Sequence, residues 1–434
     1  MEIGDMKSMD HVPISIRTEL LAGVTSFLAT AYIVVVNPSV LSLAGMPFSG
    51  VLTATVLVCF FCSLMMGLYA KSPYVVAPGM GLNAFFTFTV VQGMKVPVPT
   101  ALGAVFWSGV FFLIISLFNV RVLLIKTIPK SLRYGIAAGI GLFITLIGFG
   151  NAKFVIANPA TMISIGPLTP AVCTFLIGLF LTAVLIQKKV HGALLWGIVL
   201  TTLLALLPGR LDDSPRLVNW QGVVAAPDFS LLLQLDLKGS LSWSLAPVIF
   251  AFVFTDLFDS LSTFVGLAEA TGRLDADGEP LMLKESLLTD AVSTTLAGLV
   301  GTSPGTAYVE SAVGIEAGGR TGLTAITAAF CFLPCLFLSP LLSMVPSVAT
   351  APSLVLVGVL MMKTVTRIPW DEWEEAVPAF LAMVLIPFSY SITQGIIWGF
   401  LSYAVLKAAS GKFRELPLAF WCIIALCVVA LIVE

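Results

Sequence analysis

Apolar residues fill this chain in long unbroken stretches separated by short polar connections, and most stretches approach the ~20 residues that a helix needs to cross a bilayer core. The stretches are continuous rather than alternating, which excludes the strands of a membrane β-barrel. The pattern predicts runs over residues 20 to 41, 50 to 70, 74 to 93, 98 to 120, 133 to 150, 169 to 187 and 191 to 208. It resumes at 244 to 268, 284 to 301, 304 to 316, 321 to 345, 351 to 366, 376 to 391, 392 to 409 and 416 to 433. Two of these fifteen runs, 74 to 93 and 304 to 316, are interrupted by Pro and Gly. The last is either a further crossing or a surface helix. The longest polar connections, 209 to 243 and 269 to 283, flank the eighth run.

The pattern also repeats. Thr25 to Val40 reads TSFLATAYIVVVNPSV and Ala251 to Gly266 reads AFVFTDLFDSLSTFVG, an offset of 226 (251 minus 25). The same offset lays Pro78-Gly79 on Pro304-Gly305, and each Pro-Gly opens one of the two broken runs. Seven runs precede the second copy, so the copies enter the membrane in opposite directions. That is the inverted-repeat plan of secondary transporters, in which paired interrupted segments mark the binding site. It divides the chain into repeats at 1 to 215 and 240 to 434.

Composition agrees. With 58% hydrophobic residues, 11% charged residues and a mean hydropathy of +1.03, the chain cannot cover a water-soluble globule. The net charge of −2 selects no partner, but placement is informative. If every run crosses and the N-terminus is cytoplasmic, 17 Lys and Arg fall on the cytoplasmic side and 5 on the other. Seven cysteines scattered through apolar runs argue against a disulfide framework, and Cys59 and Cys62 read as small residues on one helix. His11 and His191 sit in loops and form no metal cluster. Charged residues before the first run argue against a cleavable signal peptide.

Against this apolar background a few polar residues stand out. Asp256 and Asp259, in FVFTDLFDSLSTF, lie inside the eighth run with no basic residue to pair with them. A carboxylate at the centre of a spanning helix costs about 2.5 to 3.5 kcal/mol, which helix packing alone gives no reason to keep. Spacing of three puts both on one helical face. Glu310 follows Pro304-Gly305, which predicts extended backbone over 302 to 308 and a short helix starting near Tyr308 or Val309. Glu310 is then expected in the first turn, at the positive dipole end. Asn83 follows the other Pro-Gly, in VVAPGMGLNAFF. Thr306 and Ser311 add hydroxyls beside Glu310. Phe85, Phe86, Phe254, Phe258 and Tyr308 flank the polar positions and offer faces for a flat ring. The glycines of Gly79 to Gly81 lack the lysine and the remaining glycine of a phosphate loop.

This set favours a small neutral heterocycle with N–H donors over an anion, because no Lys or Arg lies within these segments. A desolvated carboxyl without a cationic partner is stable in its neutral form, so Asp256, Asp259 and Glu310 are candidate proton carriers. The expectation is proton-coupled transport with the proton as coupling ion and no other cofactor. An intramembrane aspartyl enzyme is the contrasting reading. Two acids three apart on one helix do not converge on one water as such a dyad requires.

At these residues the sequence resembles the AzgA-like adenine/guanine/hypoxanthine permeases, relatives of the nucleobase-ascorbate transporters. The likeness lies in TELLAGVTSFLATAYIVVVNP, PGMGLNAFF, TDLFDSLST and YVESAVGIEAGGRTGLTA, and it looks chain-wide. It implies an all-α polytopic membrane protein of 14 transmembrane segments in 7+7 inverted repeats, with two short strands in broken helices 3 and 10. It further implies a core domain from helices 1 to 4 and 8 to 11, a gate domain from helices 5 to 7 and 12 to 14, and elevator-type movement. The implied site falls on Asn83, Asp256, Asp259 and Glu310, with Thr306, Tyr308, Ser311 and Phe258 beside it. The implied cargo is a purine nucleobase, carried across a bacterial inner membrane, often by a homodimer in lipid, with no role for nucleic acid. A uracil, xanthine or anion transporter of the same fold is the nearest alternative. The run at 416 to 433 is one more than that fold needs.

Overall fold

Hydrocarbon offers backbone N–H and C=O groups no partner, so a chain crossing it closes its hydrogen bonds within helices wherever it can. The computed structural model describes residues 15–117, 129–208, 216–271, 280–412 and 416–433, and each of the fifteen apolar runs carries helix or interrupted helix there. The first run holds α1 (Ile16–Thr30) and α2 (Ile33–Ser42), the second α3 (Phe48–Leu68). The third breaks into strand β1 (Val76–Pro78), the short α4 (Met80–Ala84) and a π-helical stretch over Phe85–Gly93. Next come α5 (Val98–Leu117), α6 (Lys130–Asn151), a hairpin of β2 (Val155–Asn158) and β3 (Met162–Ile165), α7 (Pro170–Gln187) and α8 (Ala193–Leu204). The second half holds α9 (Ala246–Thr271), α10 (Leu283–Val300), β4 (Gly305–Ala307), α11 (Ser311–Glu316), α12 (Gly322–Phe332), α13 (Ser339–Ser343) and α14 (Ser347–Met361). It ends with α15 (Trp373–Ser389), α16 (Ile392–Ala409) and α17 (Leu418–Val433).

Eight helical stretches among the described residues are long and apolar enough to cross a bilayer by length and composition alone. The remaining runs are shorter or more polar for visible reasons. Pro334 and Pro340 divide the eleventh run into α12, a 3₁₀ turn and α13. The ninth run, α10, carries Lys284, Glu285 and Asp290. The sequence did not announce the β2–β3 hairpin. The short helix after Pro304-Gly305 starts at Ser311, later than expected, because pairing with β1 keeps the chain extended to Tyr308, whose N–H bonds Val75 O at 2.9 Å. The final helix is docked: Phe420 packs against Phe400 and Tyr403 of α16. His11 lies outside the described residues, as does the side chain of Phe258.

The helices pack as two groups. One joins α1, α2, α3, α5, α9, α10 and α12 around the two broken segments, and the other joins α6, α7, α8, α14, α15 and α16. Small residues set the close approaches, as where Gly109 of α5 lies against the backbone and side chain of Thr295 on α10. The polar connection after α8 is strapped over the first group. Ser49 donates to Asp228 Oδ2 at 2.6 Å, which holds that carboxyl below its ordinary range, and Leu233 N–H bonds Leu299 O at 2.8 Å. Leu231 fills the space above Gly50 and Gly301, the latter at a φ of +93° that favours glycine.

The hub of the first group is Asn37, fully buried on α2. Its Nδ2 donates to Thr55 Oγ1 and Thr302 Oγ1, both at 2.8 Å. Its Oδ1 accepts from Asn83 Nδ2 at 3.1 Å and Ser303 Oγ at 3.2 Å. An asparagine side chain has two donor hydrogens and two acceptor lone pairs, and all four are used. The bonds tie α2 to α3, to α4 and to the approach to β4. Replacing Asn37 with alanine strands several buried polar groups, at about 1 to 3 kcal/mol each. The N37A protein is expected to unfold several degrees below the wild type in detergent thermal-shift measurements.

Candidate functional site

The two broken runs meet as an antiparallel pair buried among helices. The register is Val76 with Ala307, Ala77 with Thr306 and Pro78 with Gly305. Gly79 N–H then bonds Pro304 O at 2.9 Å. Adding 226 to Pro78 gives Pro304, and subtracting 226 from Gly305 gives Gly79, so the contact maps onto itself when the copies are exchanged. A two-stranded ribbon has two open edges, and inside a membrane each edge must find partners. Side chains supply them. Ser63 Oγ donates to Val76 O at 3.1 Å and accepts Val76 N–H at 3.0 Å, while Ser311 Oγ accepts Val75 N–H at 2.9 Å. Glycine at 305 is a matter of space, since a Cβ there would run into Ser293 Oγ and Val58.

Beside the ribbon lies a cavity of about 80 Å³. Its polar wall is Tyr32, Thr255, Asp259, Thr263, Thr306, Tyr308 and Glu310, and across from it stand Ile140 of α6 with Val357 and Met361 at the end of α14. None of the lining residues is Lys, Arg or His. Glu310 sits one residue before α11, and its Oε1 accepts a hydrogen bond from Tyr32 Oη at 2.8 Å. Tyr32 occupies the break between α1 and α2, which aims its ring at the cavity. Tyr308 Oη donates to Pro78 O at 2.5 Å, so this ring braces the ribbon as well as lining the space.

Four of the candidate residues, Asp259, Thr306, Tyr308 and Glu310, therefore share the cavity. Asn83, Asp256 and Ser311 are not part of its lining. Asp256 is buried with its Oδ2 2.5 Å from Thr294 Oγ1, while the Asn83 amide nitrogen donates to Asn37. Ser311 serves the ribbon edge. Asp256 and Asp259 do not act on one side. Three residues at 3.6 per turn leave them about 60° apart, enough to send one to α10 and the other to the cavity. Among the flanking rings, Phe85 packs on Phe252 and Phe254 on Phe400. Sequence reasoning missed Tyr32, Asn37, Thr294 and Asp290. Asp290 is fully buried and accepts from Ser260 Oγ, which in turn lies 2.8 Å from the cavity hydroxyl of Thr306.

Chemically the cavity offers carboxyls, hydroxyls and an apolar wall. Carboxyls accept hydrogen bonds when ionised and can donate when protonated, so the wall suits a neutral polar ligand. Comparisons with known proteins bear on which. A family pattern described as a permease family matches residues 17–398. The chain is 45% identical over 403 residues to the adenine permease AdeP of Escherichia coli K12, covering 92% of this chain and 89% of that one. It is 41% identical over 411 residues to the guanine/hypoxanthine permease PbuO of Bacillus subtilis, covering 93% and 94%. Among solved structures, the transmembrane domain of the cyanobacterial bicarbonate transporter BicA has the same fold, with a TM-score of 0.67 at 18% identity over 90% of this chain and 98% of that domain.

The geometry makes an accessibility prediction. Val309 lines the cavity and is 53% exposed, whereas Asn83 is 1% exposed. In a background with its native cysteines replaced, V309C is expected to react with small water-soluble maleimides, and N83C is expected to stay unmodified until the protein is denatured.

Proposed function

The chain belongs to this permease family and is a transporter rather than an enzyme, and on that premise we propose that it carries purine nucleobases inward together with a proton. The cargo is adenine, guanine or hypoxanthine, and the membrane is the bacterial inner membrane, with the N-terminus in the cytoplasm. The observation that carries this reading is the cavity beside the crossed strands, where Asp259 and Glu310 stand with hydroxyls and without a cation. A purine presents N–H donors and ring-nitrogen acceptors along its edge. Asp259, Glu310 and Thr306 answer that edge, and the Tyr32 and Tyr308 rings with the aliphatic wall of Ile140, Val357 and Met361 accept its faces. Asn83 and Asp256 support this arrangement from behind. An anion finds no positive partner in the lining, which argues against an anion carrier.

Proton coupling follows from the same acids. A carboxylate leaving water is costly to move through an apolar pathway, and a proton on Asp259, Glu310 or Asp256 removes that cost while base is bound. The two packed groups supply the moving parts. In this reading 14 crossings form 7+7 inverted repeats, and the group holding the ribbon is a core that slides against a gate in an elevator cycle. The polar wall belongs to the core and the aliphatic wall to the gate, so sliding renews apolar contacts without breaking polar ones. Two such chains pair as a homodimer.

Uptake of radiolabelled adenine and hypoxanthine, in cells lacking their own purine permeases, tests the proposal. Adenine, guanine and hypoxanthine are expected to compete with one another, uracil is expected to compete poorly, and a protonophore should abolish accumulation. D259N and E310Q should each lower uptake about tenfold or more, the equivalent of one charge-assisted hydrogen bond. Uptake that ignores the pH gradient and survives both substitutions would overturn the coupling, and the absence of any purine uptake would overturn the cargo.

A further inference from the structure

Behind the cavity, three oxygen atoms lie in hydrogen-bond contact with too few hydrogens unless a carboxyl supplies one. Thr294 Oγ1 on α10 is 2.5 Å from Asp256 Oδ2 and 3.1 Å from the carbonyl oxygen of Gly305. A hydroxyl has one hydrogen to give, and a carbonyl only accepts. Gly305 and Pro78 form a non-hydrogen-bonded pair beside the Gly79 N–H to Pro304 O bond, so the Gly305 carbonyl faces the outer edge of the ribbon and not β1. A strand carbonyl unanswered at membrane depth costs several kcal/mol, so the hydrogen of Thr294 belongs to Gly305. The short contact to Asp256 Oδ2 is then a hydrogen bond only if the carboxyl is the donor.

We propose that Asp256 holds a proton in this conformation and donates it to Thr294 Oγ1, making Thr294 the positioning residue through which strand β4 reads that proton. The relay runs from Asp256 O–H to Thr294 O–H to the Gly305 carbonyl, and it rests on the reading of the chain as a proton-coupled purine carrier. If Asp256 gives up its proton, the carboxylate captures the hydrogen of Thr294 and Gly305 loses its donor. Strand β4 carries Thr306 into the cavity and leads directly to Tyr308 and Glu310, so its release disturbs the polar wall that meets the base. Proton and base therefore favour each other's binding. Affinity for the base is full while Asp256 is protonated and falls as rising pH removes that proton.

The groups facing Asp256 are consistent with a neutral carboxyl there. Its electrostatic neighbours are Asp290 on α10 and Asp259 on its own helix. Helix α5, packed on both α9 and α10, has no titratable residue over Val98–Leu117, and β4 has none. Helix α3, packed on α10, brings the thiols of Cys59 and Cys62, and α11 carries Glu316 with Glu310 just before it. Among the described residues, the cations on helices packed against α9 are Lys284 in the first turn of α10 and Lys407 in the last turn of α16, the latter paired with Glu374 and Glu375, while the charges acting on Asp256 are those of Asp290 and Asp259.

The test is the binding of adenine and hypoxanthine to the purified full chain in nanodiscs, by titration calorimetry from about pH 5.5 to 8.5. One linked proton makes wild-type affinity fall by up to about tenfold per pH unit. T294S keeps the hydroxyl and is expected to keep that slope. T294V loses the relay, so it should bind more weakly at low pH and show a shallower slope. D256N has an amide that donates to Thr294 at every pH, so it should bind base with a flattened profile, and it decides the question if T294V fails to fold. A wild-type slope in either T294V or D256N overturns the relay. A wild-type protein that binds base equally at every pH overturns the relay and the coupling while leaving the cargo standing, and one that binds no purine removes the cargo itself.

Discussion

Everything at the centre of this molecule follows from the need to satisfy backbone groups where helices stop inside the membrane. Helical runs close their own hydrogen bonds, but the Pro-Gly breaks at Pro78 and Pro304 cannot, and the chain answers by crossing the two breaks as a short ribbon. Each edge of that ribbon then demands a donor or acceptor from a neighbouring helix. Ser63, Ser311 and Thr294 meet the demand, and Asn37 fixes the segments on either side with four hydrogen bonds. The residues around the cavity are positioned by these obligations of the backbone, which is why so many polar side chains lie deep in an apolar chain.

Much of this could be read from the sequence, and the parts that could not share a cause. The apolar runs and the paired breaks follow from one-dimensional patterns, because the bilayer imposes length and continuity on each crossing. Asp259 and Glu310 are conspicuous as unpaired acids in apolar surroundings, and both line the cavity. Asp290 met the same criterion in the ninth run and was hidden only by the serines and threonines that make that run less apolar. Tyr32 and Asn37 carried no such signal, since a tyrosine or an asparagine in a spanning helix is ordinary. Their importance comes from partners 278 and 265 positions away, Glu310 and Thr302, and pairwise geometry at that separation has no periodicity to betray it. The divergence of Asp256 from Asp259 is hidden for a related reason. A helical face about 60° wide can straddle the boundary between a cavity and a packed interface, and the sequence does not mark the boundary.

The repeat is symmetric in backbone and asymmetric in chemistry, and the asymmetry has an electrostatic origin. Exchange of the two copies maps the ribbon onto itself, yet Asp256, Asp259, Asp290 and Glu310 all come from the second copy. The first copy contributes neutral groups to the same region, namely Tyr32, Asn37, Ser63 and Asn83. A carboxyl at every equivalent position would crowd like charges into a low-dielectric space, where each added acid disfavours ionisation of the rest and no cation offsets it. Three of the carboxyls have neutral hydroxyl partners, Tyr32 from the first copy for Glu310, and Thr294 and Ser260 from the second for Asp256 and Asp290. Such partners adapt to either protonation state, since a hydroxyl donates to a carboxylate and accepts from a carboxylic acid. A lysine or arginine would fix the carboxyl in its charged form. A site meant to take up and release a proton in the course of its cycle is therefore better built from hydroxyl partners than from salt bridges.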